Sequence, residues 1–146
     1  MLLVKYGHVE TVAEAFSKYL KDDKVRNSKK WLTKEECLEL INKAGGIAVL
    51  AHPFTLKMTN EELKEEIEYL ISKGIKGIEI IHSKGKEEER AYYKELAASY
   101  SLITTGGTDY HGPEVKPNIE LGTGINNNVQ IDKNTITLVD LIPSRY

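Results

Sequence analysis

A single cysteine, Cys37, excludes an intrachain disulfide, so the core must hold the fold and a reducing, cytoplasmic setting is expected. No apolar run approaches the roughly 20 residues that a membrane-spanning helix needs. The opening MLLVKYGHVE has too short an apolar stretch for a signal peptide and no small-residue cleavage site. Charge of one sign is missing too. The formal net charge is −2, with acidic and basic residues intermixed, so neither a duplex nucleic-acid patch nor a polybasic membrane anchor is expected. Histidine is scarce, at four residues in 146, and that scarcity makes each placement informative.

What is present reads as one soluble domain's worth of chain. Three stretches open with Thr followed three residues later by Glu: Thr11/Glu14, Thr33/Glu36 and Thr59/Glu62. Each is a candidate capping box, in which hydroxyl and carboxylate satisfy amides of the first helical turn. Apolar residues follow at helical period: Val12, Ala15, Phe16, Tyr19 and Leu20, then Leu38, Ile41 and Ala44, then Leu63, Ile67, Leu70 and Ile71. A fourth helix is expected over Glu87 to Tyr100, with Tyr92, Leu96 and Tyr100 at spacing four. Cys37, on the second of these amphipathic helices, is expected in the core.

Between the helices lie shorter runs of nearly continuous apolar character: Gly46–Ala51, Gly77–Ile81 and Leu102–Thr104. They suit strands covered on both faces, as in a parallel sheet with helical crossovers. Their separation matches βαβ units, so Gly46 to Tyr110 reads as β-α-β-α-β. The β-branched alternation at Thr135–Val139 suggests a further strand or hairpin.

In parallel α/β folds, functional side chains gather beyond the carboxyl ends of strands. Three of the four histidines fall at such places. His52-Pro53 follows the first strand, His82 ends the second, and Asp109 and His111 follow the third. Neutral imidazoles and a carboxylate without cysteine suit zinc, manganese or iron. An Asp-x-His spacing lets both side chains face one side of an extended segment. Each residue also has a plainer reading. His52 can simply end its strand, Asp109 can be a turn residue bonding nearby amides, and His82 can be a surface histidine. Glu79, inside an apolar strand, is either buried and paired or facing an edge. His8 reads as structural, and Lys84 and Lys86 as a solvated helix start.

The segments AGGIAVLAHP (Ala44–Pro53), GIKGIEIIHS (Gly74–Ser83) and ITTGGTDYHG (Ile103–Gly112) resemble, in that order, carboxyl-terminal motifs of the PHP (polymerase and histidinol phosphatase) family. The resemblance is to its nucleoside-bisphosphate phosphatase-like branch of metal-dependent phosphoesterases. KYGHVETVAEAFSKYL (Lys5–Leu20) is similar to the small inserted helical region of that branch. The resemblance implies an α/β fold, the carboxyl-terminal β-α-β-α-β part of a (β/α)7 barrel. Residues 1–30 would be the insert-like helical segment and residues 31–146 the barrel portion. It implies His52, Asp109 and His111 as metal ligands, His82 as a contact to substrate phosphate, and divalent Mn, Zn or Fe as cofactor. The implied substrate is a phosphate ester, small or a short nucleotide.

The family's His-x-His strand, Asp-His pair and further Glu and His ligands do not occur in this chain. Three ligands suffice for one solvent-completed ion rather than a polynuclear centre. Three parallel strands cannot close a barrel. An open apolar face implies either a missing amino-terminal half as partner or a homo-oligomer. Two functional expectations follow: a phosphoesterase incomplete and weak on its own, or a non-enzymatic metal-binding or interaction module built on half the fold.

Overall fold

A computed structural model describes residues 2–20, 31–132, 134 and 136–137. Its helices are α1 (Leu2–Lys5), α2 (Val12–Ala15, continuing as a π-helical turn over Phe16–Leu20), α3 (Lys34–Lys43), α4 (Asn60–Ser72) and α5 (Glu87–Ser99). Capping chemistry starts three of them where the Thr-x-x-Glu pattern places it. At α3 the Glu36 amide donates to Thr33 Oγ1 (3.2 Å) and the Thr33 amide to the Glu36 carboxylate (2.8 Å). Thr59 and Glu62 repeat both bonds at α4. At α2 the box is split: Thr11 Oγ1 accepts from the Glu14 amide, but the Glu14 carboxylate reaches back to the Glu10 amide.

Three parallel strands, β1 (Val49–Leu50), β2 (Gly77–His82) and β3 (Ile103–Gly107), pair in the order β1-β2-β3. Val49 lies opposite Gly77, and Gly77 opposite Ile103, with a register shift between Glu79 and Ile81. The expected β-α-β-α-β order is therefore present, with different strand limits. β1 keeps only two residues of the apolar run, and β3 continues through glycines that usually end strands. Gly106 is needed there: a Cβ would stand 2.9 Å from that of Ile81 on the neighbouring strand. At the start of β2, a Cβ on Gly77 would meet the main-chain oxygen of Ile103 at 2.7 Å. Backbone cannot yield as a side chain does, so Gly77→Ala should destabilise the fold by about 1–3 kcal/mol, read as a lower urea midpoint at unchanged slope.

The core forms where α4 and α5 cover β2. Leu63 and Ile67 of α4, Ile78 and Ile80 of β2, and Tyr93, Leu96 and Ala97 of α5 make one cluster, joined by Ile136. Leu38 of α3 packs with Ala48, Leu70 and Ile75 in a second. Burial pushes the Tyr93 phenol up to about 12, with a smaller push from Glu89. A raised folded-state pKa means this group's contribution is complete below the unfolded value near 10 and is lost as pH rises through about 12. An ultraviolet alkaline titration should show one tyrosine ionising near pH 12 and stability falling through that window.

Cys37 corrects an expectation, because it is exposed. Neighbouring elements cover α3 at Leu38, and one residue's rotation of about 100° turns Cys37 toward solvent. In the expected terminal strand Thr135–Val139, residues 135, 138 and 139 lie outside the described residues. Of the rest, Ile136 is buried, and Thr137 exchanges hydrogen bonds of 2.9 and 3.0 Å with Thr104. Among the described residues, no helix is long and apolar enough to cross a membrane.

Candidate functional site

The carboxyl ends of β1, β2 and β3 converge on one region. His52 follows β1 with a left-handed backbone (φ +36°), unusual for a non-glycine residue and most of all before proline. Local bonds hold it there. Its amide donates to Glu79 Oε2 (2.5 Å), and its carbonyl accepts from the amide and hydroxyl of Thr55. The ring is exposed, with Nδ1 3.3 Å from Thr55 Oγ1. Glu79 is thus half-buried and paired with backbone.

His82 ends β2 and is 4% exposed, so the surface reading fails for it. The Lys84 amide donates to its Nδ1 at 3.0 Å. In the neutral ring the proton therefore resides on Nε2. That atom is buried without a hydrogen-bond partner and lies 3.4 Å from Asp109 Oδ2. The His52 and Phe54 rings stand 6.1 and 4.9 Å away, centroid to centroid.

Asp109, two residues beyond β3, also has a left-handed backbone (φ +54°). Its carboxylate draws in three cationic or potentially cationic groups: His82, His111 (Nδ1 to Oδ1, 3.4 Å) and the Lys116 ammonium in direct contact with Oδ2. Lys116 Nζ also donates to the Asp109 main-chain oxygen at 3.2 Å. Burial pushes the Asp109 pKa up, but the Lys116 hydrogen bond and charge, with His111 and His82 adding, outweigh it and hold the group below the ordinary range. Asp109 is a carboxylate at neutral pH. His111, exposed, places its Nδ1 2.8 Å from the Asp109 main-chain oxygen.

Behind these groups lies a scaffold that the sequence pattern does not reveal. The Arg90 guanidinium of α5 donates to the carbonyls of His82 (2.9 Å) and Asn128 (3.0 Å). Buried Ser83 donates to the Thr108 carbonyl, and Asn128 Nδ2 donates to the carbonyl of Ser83. No local motif marks Arg90, Asn128 or Lys116, since each acts across more distant chain. His8 is exposed at the start of the helical segment.

Among the described residues, no three His, Cys, Asp or Glu side chains stand where one ion could bind them together. His82, Asp109 and His111 are within ion-pair distance in sequence, and His52 lies beside His82. The donor chemistry nonetheless fits a divalent cation: a partly buried, ionised carboxylate already occupied by a lysine ammonium, flanked by imidazoles. Asp109 and His111 would hold such an ion, with His52, whose ring lies 6.1 Å from that of His82, as the further candidate ligand. The remaining ligands would be solvent or side chains from elsewhere.

The parallel α/β sheet thus brings a carboxylate and three imidazoles together beyond its strand ends. No family model matches the chain. It is 32% identical over 121 residues to the 5′-3′ exoribonuclease Rnm of Salmonella typhimurium, covering 82% of this chain and 41% of that protein. It is 30% identical over 112 residues to the 3′,5′-nucleoside bisphosphate phosphatase of Chromobacterium violaceum, covering 76% and 39%. A solved structure from Bifidobacterium adolescentis, proposed to be a metal-dependent phosphoesterase, superposes with a TM-score of 0.60 at 29% identity, over 91% of this chain and 45% of that one. Over these spans the chain resembles PHP-type phosphoesterases and matches part of their barrel. It spans about two fifths of the length of the curated relatives it matches.

Proposed function

We propose that the chain supplies part of a divalent-metal site for hydrolysis of a phosphate ester, with a nucleotide or short oligonucleotide as substrate. The observation that carries this reading is the meeting of His82, Asp109 and His111 at the ends of β2 and β3. Its similarity to an exoribonuclease, to a nucleoside bisphosphate phosphatase and to a structure described as a metal-dependent phosphoesterase supports it. Asp109 and His111 hold the ion, His52 completes its protein ligands, and the His82 Nε2 proton faces substrate. A bound ion supplies Lewis-acid polarisation and a water acidic enough to attack phosphorus at neutral pH. Mn, Zn or Fe suits these donors.

With three ligands at most, the chain alone is expected to turn over slowly. Supplying the amino-terminal half of a relative should raise Mn²⁺-dependent hydrolysis of a 3′,5′-nucleoside bisphosphate. If hydrolysis stays at the metal-free background with the added half bound, the reading fails. The same incompleteness predicts self-association of the isolated chain in a cytoplasm-like buffer. Sedimentation velocity at tens of micromolar should show a dimer or larger species, and a clean monomer contradicts this.

A second reading, a non-enzymatic metal-binding or interaction module, draws on the His-x-His and Asp-His motifs that do not occur in this chain. It predicts binding of one divalent ion per chain and no turnover under either condition.

A further inference from the structure

Helix α3 carries more apolar residues than the fold covers. Its contacts with α4 run along one side, where Lys34 reaches Glu66, Tyr69 donates to Glu35, and Leu38 packs with Leu70. Among the ten residues of α3, all described, only Leu38 is buried. Cys37 is exposed, as is Ala44 at the helix end, and Leu40 and Ile41 are 52% and 38% exposed. At about 100° per residue, positions 37, 40, 41 and 44 fall within one stripe about 100° wide, separate from the α4 contacts.

We infer that this stripe is a self-docking surface: α3 of a second copy packs against it antiparallel, about a two-fold axis near Leu40 and Ile41. The inference rests on the self-association expected above, for which it names the face, and is independent of the metal reading. Apolar residues at spacings of three and four form the seam of a helix pair. A two-fold axis makes one stripe its own complement, so a single helix supplies both halves of the interface. The charges fix the orientation. Glu36 and Lys43, seven residues apart, lie on the same flank of the stripe. Antiparallel packing sets Glu36 against Lys43 of the second copy, and Lys43 against its Glu36. A parallel pair would oppose Glu36 to Glu36 and Lys43 to Lys43, and like charges disfavour it. Lys43 also bridges Glu39 of its own helix at 2.5 Å, yet its side chain stays 70% exposed and within reach of a second copy. Ten residues span only about 15 Å, so this small interface should assemble at tens of micromolar rather than nanomolar.

The test is sedimentation velocity on the purified chain and its Leu40→Glu and Lys43→Glu variants. Both positions are exposed, so thermal melts should show that each variant folds as the parent does. Leu40→Glu puts a carboxylate on each side of the axis and should weaken association about tenfold or more. Lys43→Glu should weaken it about threefold, the scale of an exposed ion pair. Oxidative cross-linking reads the orientation. Cys37 lies opposite Ala44 of the second copy, so Ala44→Cys should give a disulfide-linked dimer. The two Cys37 residues of a parent dimer, offset by about 10 Å along the helices, should not cross-link. A parent dimer unchanged by Leu40→Glu would overturn the inference while leaving self-association through another face. Rapid cross-linking of the parent through Cys37 would overturn the antiparallel arrangement. A clean parent monomer at tens of micromolar would remove the self-association, and this inference with it.

Discussion

Asp109→Asn is expected to abolish divalent-ion binding, with an affinity loss of at least about 100-fold. Losing outer-shell partners alone typically costs 10–100-fold, and loss of a direct ligand should exceed that. The substitution isolates charge from shape. Asn is nearly isosteric with Asp and tolerates the left-handed backbone that this position adopts (φ +54°). The variant loses the Lys116 ion pair, but that contact is partly exposed on both sides, so the stability change should stay within about 1 kcal/mol. The expected signature is therefore an intact melt with no Mn²⁺ heat. An affinity within threefold of the parent chain would remove Asp109 from the ligand set. A collapsed melt would instead give it the plainer role of a turn residue.

The second large effect is structural. Ile78, near the start of β2, is completely buried in the cluster that α4 and α5 form over the strand. Ile78→Ala should cost about 3–4 kcal/mol, within the usual range for truncating a fully buried isoleucine. β2 has a strand on either side, so the surrounding structure has little room to collapse into the void. Against a typical total stability of about 5–15 kcal/mol, that loss is a large fraction. It should appear as a urea midpoint shift at constant slope. A matched substitution at Ile47, 42% exposed, should change stability by about 0.5 kcal/mol or less. A small effect at Ile78 would mean that β2 is not the core strand.

β2 is also the strand on which sequence and structure agree best. Its apolar run announced a buried parallel strand, and the histidine read at its end does close that strand. Helix starts were equally legible, because Thr-x-x-Glu encodes its own hydrogen bonds. β3 was less so: Gly106 and Gly107 look like a strand end, yet Gly106 lets the backbone approach Ile81 and continue pairing. Cys37 misled for a rotational reason. Periodicity says that α3 has an apolar side, but the neighbour that covers it decides which residues are buried. In the site, the Asp-x-His pair was legible because its members are two residues apart. Lys116 and Arg90 were not, since the contacts that define them cross 7 and 8 residues to groups on other elements. The side-chain tautomer of His82 depends on the Lys84 amide, which only the folded turn reveals. Sequence likewise cannot show that Glu79 is occupied by the His52 amide rather than available to an ion.

The strand-end cluster around Asp109 is expected to bind a divalent ion. The most direct test is anomalous diffraction at the manganese edge from crystals of the chain grown with Mn²⁺. A peak is expected within bonding distance of the Asp109 carboxylate and an imidazole of His111 or His52. No peak at Asp109, with Lys116 still in contact with its carboxylate at saturating Mn²⁺, would contradict it.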